Sequence, residues 1–521
     1  MTRLAHTARR TTGLLVSAAA LAAVGGLTWW GALAPRATSP QVQAHGVPAP
    51  SSAISYVCPA GPSDTIGAVT VGRASTSTAI TSLTASGSLS YDGETLTAEP
   101  TWSGRDADGG VIRLEESGAD ASASASAGET ASPSASASAS EQNGGAAGVV
   151  SSLSSDGDLR GLTTASCTPP SAVSWIVGGS SAVGSSSELR LTNPGSTSVT
   201  ARVTLLGSTG ELALPSGGVV AVPAGETRTV LLETASDASD RVAVGVEADD
   251  GALGVSLATE SLDGETPAGT EVLTPGAAPS TDLTVPGVLL TKAADQGEEE
   301  KDGATSSDAP AVRIANPGTE PAAVTLTMEG EHGSEVLPGA ESVTIDPGAV
   351  FDVSLAGVEA GAYGVHVTSD QPVAAAVRLV RSAGEYPEAS GALVHDVAWA
   401  QAGEAAAVQS GTVSMPRANG MTPQLLLTSS GAAALGDTTV HLASADGTWS
   451  TDVDVPAGTT VAAKVPDDVD AVTLSGEPGR DVTAAVVVTA KVKGDAAGTL
   501  ISTLNPVADA QALGERRVRL G

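Results

Sequence analysis

The chain has 521 residues, with 25 Lys+Arg against 58 Asp+Glu, a formal charge of −33, and rings limited to 6 Trp, 4 Tyr and 1 Phe. Such a length suggests several domains, and the charge opposes nucleic-acid binding, which needs Lys/Arg to neutralise phosphates. Two cysteines exclude a disulfide-dense scaffold and a four-cysteine zinc site.

The first element in chain order is apolar. Residues 1–10 carry Arg3, Arg9 and Arg10 and read as a cytoplasmic tip; residues 11–35 are uncharged and read as a transmembrane signal anchor. Within them, residues 13–33 are long enough to cross a bilayer as a helix, which takes about 20 residues. Trp29 and Trp30 stand where an interfacial aromatic belt is expected. The basic flank comes first, so the positive-inside rule leaves the N-terminus inside and the bulk extracellular. The alternative is a cleaved signal peptide after Ala34 or Ala44, which makes the protein secreted.

Residues 36–50 read as a stalk, and 51–171 as an N-terminal β region. That region has alternating runs at 66–71 and 88–91, turn signals at Asp92-Gly93 and Asp108-Gly109, and an Ala/Ser low-complexity insert at 118–147. Cys58 and Cys167 are both exported, and two thiols in an oxidising compartment most simply form one bridge.

From residue 172 the sequence repeats. Leu189–Gly195 (LRLTNPG), Val312–Gly318 (VRIANPG) and Leu425–Gly431 (LLLTSSG) are each followed by an alternating run and then a Pro-containing turn. From Pro194, Pro317 and Ser430 to the turn prolines Pro223, Pro347 and Pro456 the intervals are 29, 30 and 26 residues. A further strand is expected before each motif, near Trp175, Val285 and Trp399, which pairs Trp175 with Trp399 as core residues at matching places. The repeats are drawn at 172–279, 280–395 (with an acidic insert at 293–309) and 396–507, with a tail at 508–521. Short Val/Thr-rich strands with period-two alternation predict an all-β fold of tandem immunoglobulin/fibronectin-like β-sandwich units. Asn-Pro-Gly and Pro-Ala-Gly supply turns in which Gly takes the positive-φ position.

Cys167-Thr-Pro-Pro170 leading to Ser174-Trp-Ile-Val-Gly-Gly-Ser180, followed by Leu189–Gly195, resembles the DUF5719 proteins of actinobacteria. The resemblance implies an exported, membrane-anchored protein of unknown function, and it brings no catalytic residues to this chain.

The search for chemistry nominates little. The six histidines have no partner at metal-ligand spacing, so no metal site is assigned. The Gly-x-Ser-x-Gly elbow, the Walker loop and the Gly-x-Gly-x-x-Gly fingerprint are absent. Asp106-Ala-Asp108-Gly109 starts like a calcium loop but has Ser117 where the bidentate Glu belongs. Most carboxylates stand at turns or in Glu298–Glu300, as solvating charge. Trp102 and Trp449, on turn-flanking segments, are the two candidate ligand platforms.

The reading is a non-enzymatic, membrane-anchored cell-envelope protein with no catalytic residue, metal or cofactor. It presents its β units to another envelope protein or to wall polymer. The alternative is a cell-wall or carbohydrate-binding module using Trp102 or Trp449.

Overall fold

Period-two alternation governs nearly every described segment. The computed structural model describes residues 54–508 apart from 64–74, 83–87, 97–100, 106–108, 116–145, 293–308, 386–392, 431–435, 478–480 and 493–497. The fold is all-β and antiparallel in its named sheets; among the described residues the one α-helix is the short turn Ala405–Gln409. No helix among them is long and apolar enough to cross a membrane. The expected anchor at 11–35, the tip, the stalk, the tail beyond 508 and the run at 66–71 lie outside the described residues.

The strands fall into four modules rather than three. The second module runs from Val173–Val177 through Ser185–Thr192, Val199–Gly207, Gly210–Leu212 with Val219–Val222, Thr227–Leu231, Ala243–Asp249 and Gly254–Asp263 to Thr266–Leu273. Numbered one to eight, its strands form one sheet in the order 1-6-3-4 and another in the order 5-2-7-8. The same two orders recur in the fourth module, from Ser410–Ser414 to Gly498–Leu504, where Val507–Ala508 adds beside strand one. They recur in the third, where strands six and seven are one continuous 25-residue strand, Gly361–Glu385, that passes from one sheet to the other.

The N-terminal β region has this topology as well. Ile54–Cys58, Gly110–Glu115, Ser88–Tyr91 and Glu94–Thr95 make the first sheet; Thr101–Arg105, Ser75–Ser82, Ala146–Ser154 and Gly161–Ser166 make the second. The Ala/Ser insert therefore falls between strands six and seven of a first module. The Cys58–Cys167 disulfide joins the end of strand one to the residue after strand eight.

Two expectations change at the third module. Trp399 lies on its last strand, Leu393–Gln401, which pairs with the second half of Gly361–Glu385. The boundary drawn at 395/396 thus cuts a strand. Trp175, by contrast, lies on the first strand of its module, so the two tryptophans are not at equivalent places.

The turns divide similarly. Gly225, Gly348 and Gly458 of the Pro-containing turns have φ of 70°, 70° and 72°, the region that favours glycine. Gly195 and Gly318 do not enter that region. Instead the Asn side chain shapes its own turn: Gly195 N donates to Asn193 Oδ1 and Gly318 N to Asn316 Oδ1, both at 2.9 Å. Buried Asn316 also donates through Nδ2 to Glu320 O and Ile345 O at 2.8 and 3.1 Å, and Asn193 makes the matching pair to Thr197 O and Val222 O.

Each module buries a core between its two sheets, and the cores run into one another. Trp399, Ala374 and Ala376 of the third module join the second module's core. Leu426, Val487 and Ile501 of the fourth join the third's, and Val149 and Leu162 of the first join the fourth's. The eighth strands close this circuit: first against second, second against third, third against fourth, and fourth back against first.

Candidate functional site

In the repeated motif, alternate residues face opposite sides of the sheet. Leu189 and Leu191, Val312 and Ile314, and Leu425 and Leu427 enter their own modules' cores. The residue between them points outward, where solvent would be expected, but it meets the preceding module. Arg190 donates to the carbonyls of Ala60 and Gly61 at 2.9 Å each and to Ser63 Oγ and Glu188 Oε2 at 3.0 and 2.6 Å. Arg313, 1% exposed, donates to Gly179 O at 2.6 Å and Asp240 O at 3.3 Å in the second module. It also makes a two-pronged pair with Asp352 at 2.8 and 3.0 Å. Its guanidinium lies 4.4 Å from the Trp399 ring centroid, a cation–π contact in a desolvated place. Gly178 (φ 149°) stands beside that ring, where a Cβ would come 2.9 Å from the indole. The fourth module has Leu426 at the arginine position, and it packs into the third module's core.

Above Arg313 the second and third modules leave a cleft of about 330 Å³. Its floor is a row of register neighbours on the third module, Ser354, Ala311, Arg378 and Trp399. Its walls carry hydroxyls from the second module, among them Ser180, Ser185, Thr259 and Ser261. Three arginines (Arg241, Arg313, Arg378) and three aspartates (Asp240, Asp263, Asp352) line it, so the charges balance. Such a surface suits a polar, uncharged ligand that offers many hydroxyl groups.

A second constellation lies where the eighth strands meet. Glu271 of the second module and Asp396 of the third are 3% and 0% exposed. Asp396 Oδ2 accepts from Ile501 N at 2.7 Å and from Leu162 N at 3.3 Å. Both Glu271 oxygens lie 3.0 Å from Ser502 Oγ, which donates to them, and Val272 N donates to Oε1 at 3.0 Å. Burial pushes Asp396 up to about 8, against the opposing pull of those backbone bonds and of Arg160. Burial also pushes Glu271 well above the usual carboxylate range, with the Asp396 charge adding to the rise.

The residues nominated from sequence are placed as follows. Cys58 and Cys167 are bonded, with S–S 2.03 Å. Trp102 packs against the first module's core beside Tyr91, ring centroids 5.4 Å apart. Trp449 packs against the fourth module's core, its backbone N–H donating to Ser444 Oγ at 3.0 Å. Each is half-buried in its own module, and the two do not share a site. Sequence reasoning passed over Arg313, Glu271 and Asp396. The available signal for Asp396 was its place on the strand face of Val394, Ala398 and Ala400, all fully buried.

These features define an all-β protein of four topologically equivalent modules closed on one another, with a polar cleft at one junction. The chain belongs to DUF5719, a family of unknown function, whose profile matches residues 121–466. The match begins inside the first module's insert and stops before the last three strands of the fourth. No curated protein matches the chain. Among solved structures, a chain from the X-ray structure of the entire lipid-containing bacteriophage PM2 aligns over 66% of this chain and 97% of its own, at 10% identity and a TM-score of 0.11. A likeness of that order bears on neither fold nor function.

Proposed function

We propose that this is a non-enzymatic cell-envelope protein, anchored through residues 11–35, that presents its β modules outside the membrane as a rigid platform for another envelope protein or wall polymer. Each sheet pair is read as a β-sandwich of the immunoglobulin/fibronectin kind. Strand two beside five and strand three beside six support that reading, although strand seven lies beside two instead of six. The observation that carries the functional reading is the closure of four modules through continuous cores, which suits a body that holds surfaces in fixed relation. The Cys58–Cys167 bridge is in keeping with an oxidising exterior. Crosslinking in intact cells tests the proposal: recurrent capture of one envelope component supports it. Protease added to intact cells that leaves the modules untouched while degrading a known surface protein overturns it. A mature chain beginning at Pro35 or His45 replaces anchoring with secretion.

A carbohydrate-binding reading is favoured by the hydroxyl-lined cleft. It moves the candidate platform away from Trp102 and Trp449, both packed on cores. Glycan pull-down separates the cases: binding lost in Ser261→Trp but kept in a Trp102→Ala, Trp449→Ala double variant assigns it to the cleft.

A further inference from the structure

The hydrogen bonds around Glu271 and Asp396 draw on all four modules. Asp396, from the third, is held by amides of the first (Leu162) and the fourth (Ile501). Glu271, from the second, is held by Ser502 of the fourth, which in turn accepts from Thr164 N and Thr164 Oγ1 of the first at 2.8 and 2.9 Å. Asp396 Oδ1 is buried without a hydrogen-bond partner, and Gly161 makes room for it: a Cβ there would sit 2.7 Å away. An ionised carboxylate in that position leaves an unsolvated charge with a bare oxygen, whereas a neutral acid carries a smaller desolvation penalty.

Charged groups of the first, third and second modules border the two acids. Arg160 of the first module faces Asp396, but it also donates to the carbonyls of Ser155 and Ala383. Arg381 stands opposite Asp396 in the register and donates to the carbonyls of Val380 and Leu289. Buried Glu260 pairs in register with Thr270, on the opposite face of the sheet from Glu271.

We propose that this junction is a proton-operated lock. With Glu271 and Asp396 neutral, the four eighth strands stay closed. With both ionised, the acids repel each other and the strands part, releasing the modules from one another while each keeps its own two sheets. The raised Asp396 and Glu271 place opening on the alkaline side of neutrality, since a group held up in the folded state favours closure at low pH and withdraws that support as pH rises through its folded-state value, about 8 for Asp396. The device does not depend on where the protein works.

Hydrogen exchange of the full chain at about pH 6 and about pH 9.5, corrected for intrinsic rates, tests it. Peptides covering Gly161–Ser166, Thr266–Leu273, Leu393–Gln401 and Gly498–Leu504 should lose roughly tenfold or more protection at the higher pH, while Val199–Gly207 keeps its protection. The Glu271→Gln, Asp396→Asn double variant should stay protected at both. Should that variant not fold, Glu271→Gln alone should show a smaller alkaline loss than the unmodified chain. Equal protection at both pH values in the unmodified chain overturns the lock. So does a loss shared by Val199–Gly207, or a variant that opens as the unmodified chain does.

Discussion

Arg313→Leu is the most informative single change, because the fold already contains the outcome it mimics. At the equivalent place the fourth module has Leu426, whose register partner is Ala462; the third module has Arg313 opposite Asp352. Removing the guanidinium deletes two bonds to Asp352, two to second-module carbonyls and the contact with Trp399. Asp352 is then left without its counter-charge at a side-chain exposure of 15%. Breaking a buried pair by removing one partner costs about 3–5 kcal/mol, and the partial exposure of Asp352 favours the lower end. Asp352→Ala alone should cost a similar amount by stranding the buried arginine. The double variant Arg313→Leu, Asp352→Ala removes both charges, so it should recover about 1–3 kcal/mol relative to additivity. Urea unfolding followed by tryptophan fluorescence provides the measurement. Losses in the single variants that simply add in the double would refute the coupling. A change below about 1 kcal/mol in Arg313→Leu would refute the clamp itself.

The hub acid makes stability depend on pH with a definite sign. Asp396 is held up from 3.8 to about 8, so the native state binds its proton more tightly than the unfolded chain. Its contribution is full below the unfolded value and is lost as pH rises through about 8, on the order of 5 kcal/mol in all. Unfolding midpoints measured across that range should therefore fall more steeply in the unmodified chain than in Asp396→Asn; parallel curves would count against it. Replacing both cysteines by serine releases a closed loop of 109 residues, which should cost about 4–5 kcal/mol on the chain-entropy account. Limited proteolysis should then cut first within residues 54–115, and an unchanged pattern would contradict this. Asn316→Ala removes three hydrogen bonds made by a fully buried side chain and should cost about 2–3 kcal/mol in chemical denaturation; less than about 0.5 kcal/mol would refute the role given to the asparagine.

Much of the strand pattern was legible because each repeat carries its own turn chemistry and clean period-two alternation. Val199–Gly207, Ala322–Gly330 and Thr438–Ser444 lie where the alternation places them. Residues 51–171 read as a β region, but their kinship with the other three modules is hidden for local reasons. Its second strand, Ser75–Ser82, reads STSTAITS, with a single large apolar residue, and it has no counterpart of Asn-Pro-Gly. Its insert also separates strands six and seven. Gly361–Glu385 reads as two strands because Ser369, Asp370 and Pro372 look like a turn, yet the extended backbone continues through them. Trp175 and Trp399 each precede a repeat motif and so look equivalent by spacing, but hydrogen-bond register, which spacing does not encode, decides equivalence. The site is less legible than the fold. An outward-facing arginine in a strand ordinarily meets water, and only the packing of modules turns Arg313 into a clamp. Glu271 and Asp396 lie far apart in the chain, and their environment exists only after four eighth strands converge.

Packing of the first module against the fourth completes the closed four-module body. Thr164 Oγ1 and Ser502 Oγ lie 2.9 Å apart across a sequence separation of 338. Cysteines placed at both positions in the full chain, expressed in its own host, should join in a second disulfide, detected by mass spectrometry of the non-reduced protein. Two free thiols at those positions, in protein whose Cys58–Cys167 bridge has formed, would contradict the closed four-module body.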